Sequence, residues 1–402
     1  MAGPFDGVRV VEVAAWTYVP GAGAIMADLG ADVIKVEPPS GDPQRGLLNL
    51  LNRASSGPNP FVEIPNRAKR SMTIDLTRAD GREVLLKVVE TADVFLTSYL
   101  PKLRTRMGID VDDLRAVNPR LIYLRGSGWG SRGPMVDVGG YDAAAAWASA
   151  GVLHKLTPPD ADEPTPQPAA FFDLQGSSAI AGAVAMALFK RERTGEPSVI
   201  DVSLLSVGMW TMSPDIAAAP FTGGDLPGQS RKAPGNVITN YYRTKDGRWI
   251  SLVCLQSDRF WGEFCKIIGR PELENHPDYL DSTARFANRE ACVVELDKTF
   301  AEKTLAEWKQ VLAGFSGVWA PANNFLDVHE HVQVAANDYL EELVAGDGTH
   351  FALPAPPYQF DEQPSTVGRA APELGQHTEE VLLDAGLDWD AISAYRESGA
   401  LG

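Results

Sequence analysis

A strand–helix–strand unit at the head of the chain constrains its fold more than any other feature. Residues 8–13, VRVVEV, are short and β-branched, which predicts a buried strand. A turn containing Pro20 and Gly21 leads into the helical stretch GAIMADLG, and a second strand, ADVIKVE, ends at Glu37. Such a βαβ unit starts a parallel sheet, because two parallel neighbours need a crossover between them. The alternation continues after a Pro-, Gly-, Asn- and Ser-rich stretch from Pro38 to Pro65, expected to be loop. SMTIDL reads as a strand, ADGREVLLKVVETA as a helix, DVFLTSY as a strand, DVDDLRAVNPR as a helix stopped by a proline, and LIYLRGSGWG as a strand entering a glycine turn. This pattern predicts a doubly wound α/β domain.

Residues 157–168, TPPDADEPTPQP, hold five prolines and predict an extended strap. A long helix over 174–193 follows, with Lys190, Arg191 and Arg193 in its last turn and Gly195 as its stop. The segment SVIDVSLLSV is a strand or a strand–helix junction. Beyond about residue 220 the character changes. NYYRTKDGRWISLVCL predicts a hairpin turning at Asp246-Gly247, followed by amphipathic helices from Arg259 to Gly269 and from Thr299 to Leu312. The expected division is 1–225 for the first part of a large domain, 226–325 for a smaller α+β domain, and 326–402 for a return segment. That last segment carries the Pro-rich ALPAPPYQF and a final helix, TEEVLLDAGL.

A chain of 402 residues has length enough for two domains. Its net charge of −17 disfavours nucleic-acid partners, since phosphate backbones repel it. The three cysteines, Cys254, Cys265 and Cys292, form no CxxC pair, so buried thiols in a reducing compartment are expected. No signal peptide is read at the N-terminus, and no apolar run of the ~18 residues needed for a bilayer is read anywhere. A cytoplasmic protein with no membrane partner is the expectation.

Several motifs are incomplete or absent. Gly21 and Gly23 match two glycines of the dinucleotide fingerprint GxGxxG, but Met26 occupies the third place; Glu37 could serve as its ribose-binding acid. The histidines form no HExxH, and neither GxSxG nor a GxxxxGK[ST] loop occurs. Asp173 opens the long helix. An N-cap role is one reading, because aspartate accepts N–H groups at that position. The other is chemical. The helix behind it begins LQGSSAIAGA, small enough to admit a ligand or another backbone, and its dipole favours an ionised carboxylate that could act as a nucleophile. The cations of NRAKRS, and Arg104 with Arg106, fit either a solvated basic face or an anion site.

Taken in order, FDGVRVVEV, MADLGADVIKVEPPSGDPQRG, NRAKRSMTIDL, RMGID, NPRLIYLRGSGWGSRGP, GGYD, FFDLQGSSAIAGAVAMALFKRERTG, VIDVSLL and APELGQHTEEVL resemble the class III CoA-transferases. That family includes formyl-CoA transferase, carnitine CoA-transferase and the α-methylacyl-CoA racemases, and the likeness covers essentially the whole chain. It implies a Rossmann-like large domain built from both chain ends, an inserted smaller α+β domain, and an interlocked homodimer. It implies CoA transfer from an acyl-CoA donor to a carboxylic acid acceptor, with Asp173 forming an anhydride and then an aspartyl-CoA thioester. Coenzyme A enters as substrate; no prosthetic group or metal is implied. The resemblance places Thr17 and Tyr18 at the pantetheine and reacting end. It places Ile74, Asp75, Leu76, Thr77, Ser98 and Tyr99 at the adenine nucleotide, Arg106 near phosphate, and Tyr141 with Asp142 at the active site.

The chain departs from that pattern in places. Thr17 stands where oxalate-type enzymes carry Gln, Ser98-Tyr99 replaces Asn-Phe, Thr77 replaces a lysine beside Arg78, and Pro38 replaces an arginine. A four-glycine lid is reduced to Gly223-Gly224. Oxalate is therefore not expected as substrate, and an acceptor larger and less polar than oxalate is. The racemases carry Gly-His-Asp where this chain has Gly140-Tyr141-Asp142, and a tyrosine is a poor base near neutral pH. A racemase or epimerase, and a non-catalytic acyl-CoA-binding protein, remain the alternatives. Trp16, Tyr18, Trp129, Trp147, Phe171 and Phe172 are candidates for an acyl pocket or for core.

Overall fold

The computed structural model describes residues 3–50, 57–223, 226 and 228–402. Two compact units emerge. The larger takes residues 1–153, 166–224 and 332–402, and the smaller takes 154–165 and 225–331. Gly224 of the glycine pair lies outside the described residues, as does the expected boundary at Asp225.

The larger unit is built on a six-stranded parallel sheet in the order β3-β2-β1-β4-β5-β6. Its opening is β1 (Arg9–Val13), α1 (Tyr18–Asp28) and β2 (Asp32–Glu37). Helix α1 starts sooner than the sequence suggested. Pro20 and Gly21 lie inside its first turn, where a proline sacrifices no hydrogen bond. The stretch expected to be loop contains α2 (Pro60–Asn66), started by the Asn59 side chain accepting the Phe61 N–H at 3.0 Å. Next come β3 (Arg70–Thr73), α3 (Ala79–Val89), β4 (Val94–Thr97), α4 (Pro101–Met107), α5 (Val111–Arg115) and β5 (Ile122–Ser127). Helix α4, which carries Arg104 and Arg106 beyond the end of β4, was not foreseen. The long helix α6 (Phe171–Thr194), β6 (Val199–Ser203) and α7 (Leu204–Thr211) complete this stretch.

Side-chain alternation divides the sheet between two cores. Val10, Val33, Val94, Leu96 and Leu124 pack on the face covered by α1 and α6. Val11, Ile34, Val36, Phe95 and Tyr123 pack on the other, with Val84, Leu85 and Val88 of α3. By length and composition α6 is apolar enough to cross a membrane, contrary to the expectation that no such stretch exists. Its Ile180, Val184 and Ala187 are nevertheless buried in this core.

In the smaller unit, β7 (Thr239–Arg243) and β8 (Trp249–Val253) form the expected antiparallel hairpin, and β9 (Trp319–Pro321) joins β8. Helix α8 (Ser257–Ile267) covers it. The helix expected over Thr299–Leu312 is two: α9 (Arg289–Phe300) ends, and α10 (Leu305–Val311) restarts behind a Thr304–Glu307 capping box. Trp261, Phe264, Phe300 and Trp308 fill the core beside the buried, free Cys254, Cys265 and Cys292. The chain then adds β10 (Leu340–Val344) paired with β11 (His350–Pro354), followed by α11 (Thr378–Asp384) and an unforeseen α12 (Trp389–Ser398) in the larger unit.

Candidate active site

The strand order reverses between β1 and β4, and a cleft of about 220 Å³ opens at the carboxyl ends of these strands and β5. This is where doubly wound sheets place ligands. The loop after β1 forms one wall. Trp16 has φ 70°, a left-handed conformation that a bulky side chain rarely adopts without support. The support is visible. Asp42 accepts the Trp16 N–H at 3.2 Å and the Gln44 N–H at 2.9 Å through Oδ1, while its Oδ2 accepts Lys35 Nζ at 2.9 Å. Gln44 Nε2 donates to Thr17 Oγ1 at 3.0 Å, and Ser98 Oγ accepts the Ala15 N–H at 3.1 Å. The Trp16 ring meets Tyr141 edge-on, 5.6 Å between centroids.

Behind this wall lies a fully buried ionic network. Lys35 reaches Glu12 as well as Asp42, and Lys69 donates to Glu12 at 2.6 Å and to the Pro20 carbonyl at 2.8 Å. Burial together with the Lys35 charge pushes Lys69 down to about 8, while the two carboxylates Asp42 and Glu12 hold Lys35 above the ordinary lysine range. Glu37 is bound by Arg45 and by Ser71 Oγ, so the carboxylate suggested for a ribose is already engaged. The NRAKRS cations are engaged as well: Arg67 with Asp28, Lys69 with Glu12, and Arg70 with Asp32, Glu380 and Asp384. Neither a solvated face nor an open anion site describes these three.

Helix α6 supplies the reactive group. Its N-cap position is Ala170, in a left-handed conformation, so Asp173 lies within the first turn rather than at the cap. The capping acceptor comes from elsewhere in sequence: Asp142 Oδ2 accepts the Phe172 N–H at 3.2 Å and also binds Gln167 Nε2. Asp173 is thereby left uncommitted. Its carboxylate lines the cleft and accepts no hydrogen bond from the described residues. Burial, and secondarily the negative charge of Asp142, raise its pKa to about 7.

Small residues bring α6 against α1. A Cβ on Gly176 would sit 2.2 Å from Tyr18 Cε2, so only glycine leaves a slot for that ring. The Ser177 hydroxyl lies 2.7 Å from the Tyr18 carbonyl and 2.8 Å from the Asp173 carbonyl, against the Gly21 backbone. The small-residue run thus serves the approach of another helix. The Tyr18 hydroxyl is buried with no partner among the described residues, and burial and the Asp173 charge push its pKa up.

The cleft brings together Tyr18, Ser98, Tyr141 and Asp173, and Asp142 stands directly behind them at the α6 N-terminus. Other anticipated residues lie outside its lining. Thr17 is buried on Gln44. Ile74 and Leu76 are core residues, with Ile74 bridging to Leu401, and Asp75 accepts Thr77 in a local turn. Tyr99 packs on the second core, and Arg106 is exposed on α4. Of the aromatic candidates, Trp16 and Tyr18 line the cleft. Trp147 and Phe172 are core, Phe171 packs edge-on against both, and Trp129 donates Nε1 to the Gly139 carbonyl at 3.1 Å. Sequence reasoning missed Ala15, Leu100, Leu204 and the backbone of Gly126, Gly128 and Gly139; the glycine density of RGSGWG and GG was their available signal.

Comparison with known proteins agrees with this arrangement. Residues 5–378 match CoA-transferase family III. The chain is 31% identical over 394 residues to (R)-2-hydroxy-4-methylpentanoate CoA-transferase of Clostridioides difficile, covering 98% of each. It is 30% identical to succinyl-CoA:glutarate CoA-transferase of Mus musculus, over 95% of this chain and 86% of that one. The crystal structure of a CAIB/BAIF family protein from Brucella suis superposes with a TM-score of 0.85 at 26% identity, over 96% of this chain and 100% of that one. The chain belongs to CoA-transferase family III, and CoA transfer is its activity.

Proposed function

We propose that the protein moves CoA from an acyl-CoA donor to a carboxylic acid through covalent intermediates on Asp173. An Asp173 carboxylate oxygen attacks the thioester carbonyl, the C–S bond breaks, and CoA leaves as thiolate, giving a mixed anhydride. The thiolate then attacks the Asp173 carbonyl carbon. The anhydride C–O bond breaks, the donor acid departs, and an aspartyl-CoA thioester remains. An acceptor carboxylate attacks that thioester and runs the two steps in reverse, restoring Asp173. The observation that carries this reading is the uncommitted Asp173 carboxyl in the cleft, with a pKa near 7 that leaves it nucleophilic once ionised. The α6 N-terminus lies beside it and favours developing negative charge.

A two-base racemase is less well supported. The cleft lining contains no histidine among the described residues, and Asp142 is held by Gln167 and the Phe172 N–H. Thr17, Ile74 to Thr77, Tyr99 and Arg106 belong to this proposal as contacts to the distal parts of CoA. So do the 1–225, 226–325 and 326–402 division and the interlocked homodimer. Met186, Phe189, Trp210 and Phe221, large apolar side chains exposed in one copy, support association. The test is intact-mass analysis after mixing with a panel of acyl-CoA esters. An added acyl or CoA group, mapped to the Asp173 peptide and absent from Asp173→Ala, is expected; an adduct on both proteins moves the nucleophile elsewhere.

A further inference from the structure

We propose that the cleft selects acids with a single carboxylate and an uncharged body, and rejects dicarboxylic acids; this rests on the reading of Asp173 as the reacting group. Besides Asp173 it is lined by the large side chains Trp16, Tyr18, Leu100, Tyr141 and Leu204, and otherwise by alanine, glycine and serine residues. Among the described residues no lysine, arginine or histidine lines it.

Four cations that border the lining in sequence or space, Arg125, Arg104, Lys35 and Lys102, each have an acidic partner. Arg125, next to Gly126, is held by both oxygens of Asp201 at 2.8 and 2.7 Å. Arg104 is held by Asp110 and donates to the Tyr99 carbonyl, and Lys35 is sealed behind the Trp16 loop on Glu12 and Asp42. Lys102 is directed to Asp137 at 3.5 Å and is 84% exposed. The charges closest to the reacting position are negative, Asp173 itself and the buried Asp142.

A monocarboxylic acyl group presents its one carboxyl carbon to Asp173 and lays the rest of its chain on the apolar walls. A dicarboxylic one would bring a second anion out of water into a site whose described lining offers no cationic side chain and has two carboxylates nearby. The unpaired Tyr18 hydroxyl is a neutral donor and does not offset a full charge. At about 220 Å³ the cleft holds about seven groups of methylene or water size, taking ~30 Å³ for a water, which suits short or branched acids.

The experiment measures CoA transfer by the full-length wild type to acids paired by chain length: butanoate against succinate, pentanoate against glutarate, and hexanoate against adipate. Each monocarboxylate is expected to exceed its partner in kcat/KM by about a hundred-fold or more. Leu100→Arg, which places a cation in the wall, is expected to shrink that ratio about ten-fold or more. Dicarboxylates within ten-fold of their partners, or no transfer to any monocarboxylate, overturn the proposal. The covalent reading fails separately. An Asp173 adduct with equal use of both acid classes refutes only the selectivity, whereas selectivity without an Asp173 adduct refutes only the nucleophile.

Discussion

Replacing Asp173 with asparagine should make the protein more stable, and by an amount that depends on pH. The carboxyl has a pKa of about 7 in the folded chain against an ordinary value of 3.8, because burial and Asp142 both disfavour its charge. The folded state therefore binds this proton more tightly than the unfolded state does. Its contribution to folding is fully present below pH 3.8 and is lost as pH rises through about 7. At 1.36 kcal/mol per pH unit the full loss is about 4 kcal/mol, a ceiling because the cleft keeps the carboxyl partly wetted. Asparagine has the same shape and does not titrate. Urea unfolding of both proteins should give similar stabilities at about pH 4 and a gap of about 2–4 kcal/mol in favour of Asp173→Asn at about pH 8.5. A gap that stays constant across this range would show that the carboxyl is not held away from its charged form, and the account of a poised nucleophile would fall with it.

The same poise should appear in turnover: kcat/KM is expected to rise with pH through about 7 and then level, since only the ionised Asp173 attacks. Asp142→Asn removes the like charge and should shift that midpoint to lower pH, while the amide oxygen can still cap α6; an unmoved midpoint would exclude Asp142 as a cause. Gly176→Ala drives a methyl into the Tyr18 ring and should cost about 1–3 kcal/mol of stability together with a measurable fall in kcat/KM, read by denaturation and steady-state kinetics. Asp42→Ala leaves buried Lys35 with Glu12 and the Ala14 carbonyl at 3.3 Å and frees the Trp16 N–H, so destabilisation of about 3–5 kcal/mol is expected from the same denaturation measurement.

The parallel sheet was legible because each buried strand is a short β-branched run and each crossover helix carries its own apolar stripe. Those are local properties. What escaped the sequence depended on partners far along the chain. Asp173 read as an N-cap because it opens a helix; that Asp142 does the capping depends on a contact across 30 positions. The NRAKRS cations left a solvated face and an anion site equally open because their acids, from Glu12 to Asp384, come together only on folding. The break between α9 and α10 was written locally, as Thr304 and Glu307, but apolar spacing on both sides concealed it. Ala15 and the glycines of the cleft lining escaped because glycine and alanine carry no chemical signature; their role is to leave room.

Strand β3 forms one edge of the parallel sheet, and its outer side is closed by the far end of the chain. The His377 N–H reaches the Ser71 carbonyl at 2.8 Å, the Thr73 N–H reaches Thr378 Oγ1 at 3.2 Å, and Ile74 bridges to Leu401. Thr73 Oγ1 and the Gly402 carbonyl, 3.3 Å apart, are separated by 329 positions. On a ribosome adding ~5–20 residues per second, roughly 16–66 s pass between the synthesis of those two partners. For that interval the nascent sheet carries an open, hydrogen-bonding edge that its own sequence cannot yet cover. The yield of native protein should therefore depend on how well this edge is kept from other strands until the last residues arrive.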